Sequence, residues 1–266
     1  MVEILSPGDD SVPDLLHIDL SALLPFILVG FAAQLVDGAL GMAFGVITNT
    51  LLVGFLGVPP AQASQRVHIV ECFTTATSAI SHLLHGNIDK VLFFRLLIPG
   101  VIGGVLGAYV LSSIDAAVMK PFVMVYLTSI GLYILVRGLL YPPKIKEAKF
   151  IAPLGLFGGF LDAAGGGGWG PVVTSNLLIQ GADPRKVVGT VNSVEFFLTL
   201  TVSATFIWHL GIADVAGATL GLLIGGVIAA PIGAWAAKHF NPKTMLILVG
   251  VVLSLTSGYG VWKAWG

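Results

Sequence analysis

The chain reads as an all-α polytopic membrane protein made of two inverted repeats, each a broken-helix hairpin followed by three transmembrane helices. Three observations lead to this. Apolar residues form 56% of the 266 positions and charged residues 10%, with a mean hydropathy of +0.94. Soluble domains carry about 25% charge, so this chain has too little to cover a water-facing surface. Two glycine-rich interruptions occupy matching places in its halves. Lysine and arginine are distributed so that only a hairpin at each interruption segregates them to one side.

The elements follow in order. Residues 1–20 hold Glu3, Asp9, Asp10, Asp14 and Asp19 before the first apolar run, with no basic flank of the kind that opens a cleaved signal peptide. This segment is expected outside the cytoplasm. Repeat 1 spans 21–139, with apolar units at about 21–58 (broken near 37–45), 67–84, 92–112 and 118–139. A polar linker, 140–150, contains Tyr141-Pro142-Pro143-Lys144-Ile145-Lys146-Glu147. Repeat 2 spans 151–266, with units at about 151–181 (broken near 162–170), 187–209, 213–236 and 243–263. Each unit holds enough apolar residues for one crossing of about 20 residues, or for two shorter ones.

The breaks align at an offset of 125, pairing Asp37 with Asp162, Gly41 with Gly166, Phe44 with Trp169 and Gly45 with Gly170. Pro59 matches Pro184 at the same offset, Glu71 matches Glu195 and His85 matches His209 at 124, and Met119 matches Met245 and Tyr133 matches Tyr259 at 126. Glycine breaks in corresponding positions of two halves mark a binding site between discontinuous helices.

Charge sets the topology. If each broken unit crossed once, loop cations would divide 6 to 7. With each broken unit entering and returning, one side holds Lys90, Arg95, Arg137, Lys144, Lys146, Lys149, Arg185, Lys186, Lys238 and Lys243, and the other only Arg66, Lys120 and Lys263. The positive-inside rule selects this 10-to-3 split. The linker is then cytoplasmic, both termini lie outside, and the halves are inverted in a multi-pass cytoplasmic (inner) membrane protein.

Polar chemistry concentrates in the second unit of each half. His68, Glu71, Thr75, Ser78, His82 and His85 form one helical stripe, and Asn192, Glu195 and Thr199 repeat its first part. Glu71 and Glu195 read either as interfacial carboxylates or as proton-exchanging groups on a pathway. Asp37 and Asp162 read as caps that accept from the N–H groups of the next helix start. His82, His85 and His209 suit helix ends at the headgroup level. The lone Cys72 excludes a disulfide framework and a multi-cysteine metal site. No cofactor, metal, catalytic constellation or nucleic-acid patch is expected, and the sequence sets no oligomeric state.

The segment Gly158-Gly159-Phe160-Leu161-Asp162-Ala163-Ala164-Gly165-Gly166-Gly167-Gly168-Trp169-Gly170-Pro171, followed by Val187-Val188-Gly189-Thr190-Val191-Asn192-Ser193, resembles the TauE/SafE sulfite exporter family. Asp37-Gly38-Ala39-Leu40-Gly41-Met42 followed by Gly45 resembles that family's N-terminal repeat. The resemblance covers about 21–263 and implies a secondary transporter, an exporter in many members, of sulfite, organosulfonates and related sulfur anions. The half-sites differ, because Arg66 and His68 stand where the second half has Thr190 and Asn192.

Helix N-termini at the breaks can hold such an anion without a lysine. The residues expected to contact it are Gly41, Gly45, Asn49, His68, Gly166, Gly170, Asn176, Thr190 and Asn192, with Glu71 and Glu195 as proton-coupling groups. Two other classes remain. One is a passive anion channel of the same build. The other is an intramembrane aspartyl protease using Asp37 and Asp162, against which stands the absence of Gly-x-Gly-Asp or Tyr-Asp around either residue.

Overall fold

The computed structural model describes residues 20–40, 42–140, 150–179, 184–212, 215–239 and 241–265. The acidic segment up to residue 19, the linker core 141–149 and Gly41 lie outside the described residues. Among those described there is no strand. The helices are α1 (Leu20–Leu40), α2 (Phe44–Gly54), α3 (Pro60–Leu84), α4 (Lys90–Ser113), α5 (Ala116–Leu139), α6 (Ile151–Gly165), α7 (Ser175–Ile179), α8 (Pro184–Leu210), α9 (Ala216–His239) and α10 (Pro242–Trp265). A π-helical turn, Trp169–Thr174, leads into α7.

Helix starts and breaks differ from the sequence expectation. α3 begins at Pro60, seven residues before the apolar run, because proline presets the first helical φ and the polar residues behind it, Ser64, Gln65 and Arg66, are buried against protein. α8 likewise begins at Pro184. The helix starts therefore pair Pro60 with Pro184, the register that Glu71 and Glu195 already keep, rather than Pro59 with Pro184. The first break is also shorter than 37–45. α1 remains helical through Asp37 to Leu40, since a single glycine there does not stop the ladder, and the described unwound residues are Met42 and Ala43. The second break is likewise shorter than 162–170, because α6 stays helical through Asp162 to Gly165 and the chain unwinds only at 166–168 before the π-helical turn.

Packing is by long helix pairs. α1 lies along α9, α4 along α6, α3 along α8 and α5 along α10. Glycine sets the spacing of three of these pairs. A Cβ on Gly30 would strike the backbone of Leu222, and one on Gly225 would strike the carbonyl oxygen of Ile27, so α1 and α9 touch backbone to backbone. In the α4–α6 pair, Gly103 meets the Leu156 carbonyl and Gly159 meets the Gly100 carbonyl. In the α5–α10 pair, Gly131 faces Ser254 N, where an added Cβ would lie 2.7 Å away, and Gly250 faces Leu135 N. Lipid tails are as apolar as leucine, so close approach and dispersion hold such pairs rather than water exclusion.

The outer face is apolar. Phe94, Ile98, Leu106, Val227, Leu255 and Trp262 are all exposed. α4, α5 and Lys186–Leu210 of α8 are each long and apolar enough to cross a membrane. Asp89 and Asp115 cap α4 and α5, Asp89 by accepting from Val91 N and Leu92 N at 2.9 and 3.0 Å and Asp115 by accepting from Ala117 N at 2.8 Å.

Gly159→Ala is expected to destabilise the protein by about 1–3 kcal/mol, the usual cost of overpacking, because the helices cannot separate without losing the whole α4–α6 contact. Gly217→Ala, whose Cβ would meet only Leu23 Cδ2 at 3.7 Å, should be close to neutral. Melting of the two variants in detergent compares them directly.

Candidate functional site

The two breaks touch. A Cβ on Gly45 would lie 2.9 Å from Gly167 Cα, and one on Gly170 would lie 3.0 Å from Met42 Cβ. Backbone conformation at the crossing is left-handed, with φ of 98° at Ala43, 72° at Gly166 and 138° at Gly167. At Gly166 a side chain would also collide with Asn49, so glycine is required twice over. Pro171 has no N–H to give, and the ladder past it widens, with Ser175 N–H donating to Gly170 O five residues back.

The aspartates bind the turns that follow them. Asp162 Oδ1 accepts from Gly168 N at 2.8 Å and from Trp169 N at 2.9 Å. Its backbone oxygen accepts from Gly167 N at 2.8 Å. Asp37 Oδ1 accepts from Phe44 N at 3.2 Å, the counterpart of the Trp169 bond. Other elements hold the second break as well. Asn49 Nδ2 donates to Gly165 O at 2.6 Å, Tyr126 OH donates to Gly167 O at 2.8 Å, and Ser64 Oγ donates to Ala163 O at 2.8 Å. Trp169 is fully buried, and its Nε1 donates to Val191 O at 3.2 Å.

His68 stands behind Asp162. Its Nδ1 lies 2.7 Å from Ser64 O and its Nε2 lies 3.1 Å from Asp162 Oδ2, with no exposure. A carbonyl oxygen only accepts, so Nδ1 carries a hydrogen. The Nε2–Oδ2 contact then needs one more proton, on the imidazole or on the carboxyl. The pair is neutral overall in either form, and loss of that proton would set lone pair against lone pair.

Beside the crossing is a cavity of about 290 Å³. Its wall includes Gly45, Val46 and Gly170 of the breaks, Asp37, Glu71, Asp162 and Glu195, and the polar groups Gln34, Thr74, Thr75, Ser78 and Asn192. Among the described residues lining it there is no lysine, arginine or histidine. Asn192 Nδ2 donates to Ser78 Oγ at 2.9 Å, joining α8 to α3 on the wall. Glu71 is 6% exposed, and its Oε2 has no hydrogen-bond partner among the described residues.

Of the residues expected at the ligand, Gly45, Gly170 and Asn192 line this cavity, as do Asp37, Asp162, Glu71 and Glu195. Gly166 lies at the crossing but off the wall, and Gly41 is outside the described residues. Asn49 and His68 face the second break. Thr190 is spent on the α3–α4 loop, where its Oγ1 accepts from Asp89 N at 2.8 Å, and Asn176 donates within its own turn to Val172 O at 2.8 Å. Sequence reasoning passed over Tyr126 and Thr74. Thr74 is one residue off the stripe, and nothing in the pattern around Tyr126 signals its reach to Gly167.

A helical membrane protein with two glycine-broken helices meeting at a buried polar cavity is the build of a transporter. The sequence profile described as Sulfite exporter TauE/SafE matches residues 26–260, and the chain belongs to that family of membrane transporters. It is 44% identical over 252 residues to the probable membrane transporter protein YtnM of Bacillus subtilis, covering 91% of this chain and 84% of that one. It is 29% identical over 222 residues to a probable membrane transporter protein of Haemophilus influenzae, covering 78% and 84%. No solved structure matches it.

Asp162→Ala is expected to cost about 3–5 kcal/mol, because it strands His68 and two backbone donors inside the protein. Asp37→Ala removes a single cap and should cost about 0.5–2 kcal/mol. Equal losses of thermal stability in the two variants would show that the His68 contact contributes nothing.

Proposed function

We propose that the protein is a secondary transporter that exports small sulfur oxyanions, sulfite or organosulfonates, across the cytoplasmic membrane in exchange for protons. The observation carrying this reading is the cavity at the contact of the two breaks, where α2 begins. The first turn of a helix leaves N–H groups without intrahelical partners, and its dipole favours negative charge. Phe44 N–H goes to Asp37, and the next two residues, Gly45 and Val46, stand in the cavity wall. An anion seated there needs no lysine.

The aspartates act in this reading as caps that shape the turns, and Glu71 and Glu195 exchange the coupling proton. Asn192 is the side chain that orients the ligand. Asn49, His68, Thr190 and Asn176 act through the turns and loops they hold. The chain divides into repeat 1 at 21–139 and repeat 2 at 151–266, inverted about the cytoplasmic linker 140–150. Support comes from the matching Asp37 and Asp162 bonds, and from pairs in which α3 meets α8 and α5 meets α10.

Purified protein screened by thermal shift against sulfite, thiosulfate, sulfate, isethionate, sulfoacetate and taurine should be stabilised by at least one sulfur anion. At a concentration about 100 times the dissociation constant the gain is about 2.7 kcal/mol. Stabilisation by none of them removes the substrate assignment. Export should also run against a gradient in proteoliposomes when a proton gradient is imposed, and flux that only equilibrates would identify a channel.

Topology is tested separately. With Cys72 replaced, a single cysteine at position 146 should be protected from impermeant maleimide in sealed cells, and one at position 6 should react. Labelling of 146 from outside would overturn the inverted arrangement.

A further inference from the structure

The cavity wall is chemically lopsided for a site that takes only an anion. Four carboxyl groups line it, Asp37, Glu71, Asp162 and Glu195, and the described lining includes no lysine, arginine or histidine. Two of the four are engaged. Asp162 is bound by His68 and two backbone N–H groups, and Asp37 accepts from Phe44. Glu71 differs. It is buried with Oε2 unpartnered among the described residues, and its other oxygen lies against the first turn of α2, 3.0 Å from where a Cβ on Gly45 would stand. A buried carboxylate needs a proton or a cation beside it. The cavity thus puts a carboxyl with an unpartnered oxygen directly beside the helix start that attracts negative charge.

We propose that the ligand is a zwitterion, a small aminoalkane sulfonate or a compound of the same charge pattern, with its sulfonate on the N-terminus of α2 and its ammonium group on Glu71 and Glu195. This rests on the anion reading above and narrows its substrate class. A sulfonate and an ammonium two carbons apart fit a cavity of about 290 Å³. Glu71 of α3 and Glu195 of α8 line the same cavity, as do Asp37 of α1 and Asp162 of α6, the last with its partner His68 of α3. Cys72, beside Glu71, has its Sγ 3.5 Å from Ser203 Oγ. Tyr126 of α5 is hydrogen-bonded to the second break.

A buried carboxyl with no cation beside it is favoured in its neutral form. An ammonium group that pairs with it displaces the proton, so binding releases a proton and the exchange of substrate for proton is built into one pair of carboxyls. Binding accordingly weakens as pH falls, because protons compete for the same oxygens.

The test compares taurine with isethionate, which keeps the sulfonate and chain length but carries a hydroxyl in place of the ammonium. Binding to the full-length protein in nanodiscs is measured by calorimetry in sodium-free choline buffer at pH 8 and pH 6, in two buffers of different ionisation enthalpy. A hydrogen bond between charged groups is worth about tenfold or more in affinity. Taurine should therefore bind at least about tenfold more tightly than isethionate at pH 8, release a proton, and show a smaller advantage at pH 6. Glu71→Gln should abolish both the advantage of taurine over isethionate and the proton release, and Glu195→Gln provides the same readout if the first variant does not fold.

Isethionate or sulfite binding as tightly as taurine would overturn the zwitterion and leave the anion reading standing. Tight isethionate binding that appears only on adding sodium would also overturn it, by showing that the cation is inorganic. Binding of no sulfur anion, with or without an ammonium group, would remove both readings.

Discussion

Backbone polar groups released inside a membrane protein have to find partners within the protein, because the hydrocarbon offers none. Two helix breaks release such groups at one place here, and most of the polar structure around them answers that demand. Asp162 takes two N–H groups of the second break, Asp37 takes one of the first, and Asn49, Tyr126 and Ser64 occupy carbonyls of the second. These side chains come from α1, α2, α3, α5 and α6. The crossing is therefore fixed by half of the helices at once, and its geometry is shared property rather than a local preference.

The glycine-lined helix pairs serve the same end. Backbone contact between α4 and α6 sets the end of α6, and hence the place where the chain turns at Gly166. The contact of α1 with α9 does so for the first break. A rigid frame of this kind lets the two loops carry left-handed residues, including Ala43, that would be costly on a free chain.

The two half-sites are not equivalent, and the difference is electrostatic. Asp162 has a histidine behind it, so its negative charge is shared with a proton. Asp37 has no such partner from the corresponding position, which is Asn192, and that amide is turned to Ser78. The cavity lies where the less neutralised carboxyls gather. A matching pair of breaks thus produces an asymmetric pocket, lined by carboxyls that stand beside the helix start of α2.

The sequence by itself determined the class, the breaks and the polar stripe. Composition requires lipid around this chain, a run of glycines inside an apolar segment marks a break, and a three-and-four spacing of polar residues forces one helical face. These are local properties of residue type and interval. It did not determine that α1 ends at Leu40 rather than at Asp37, since a helix stops where its tertiary partners stop it. It did not reveal that His68 reaches Asp162, 94 positions away, or that Tyr126 supports Gly167, because such contacts depend on how helices are paired and rotated. The tertiary structure alone gathered Asp37, Glu71, Asp162 and Glu195 around one cavity, since only packing decides which buried charges share a space.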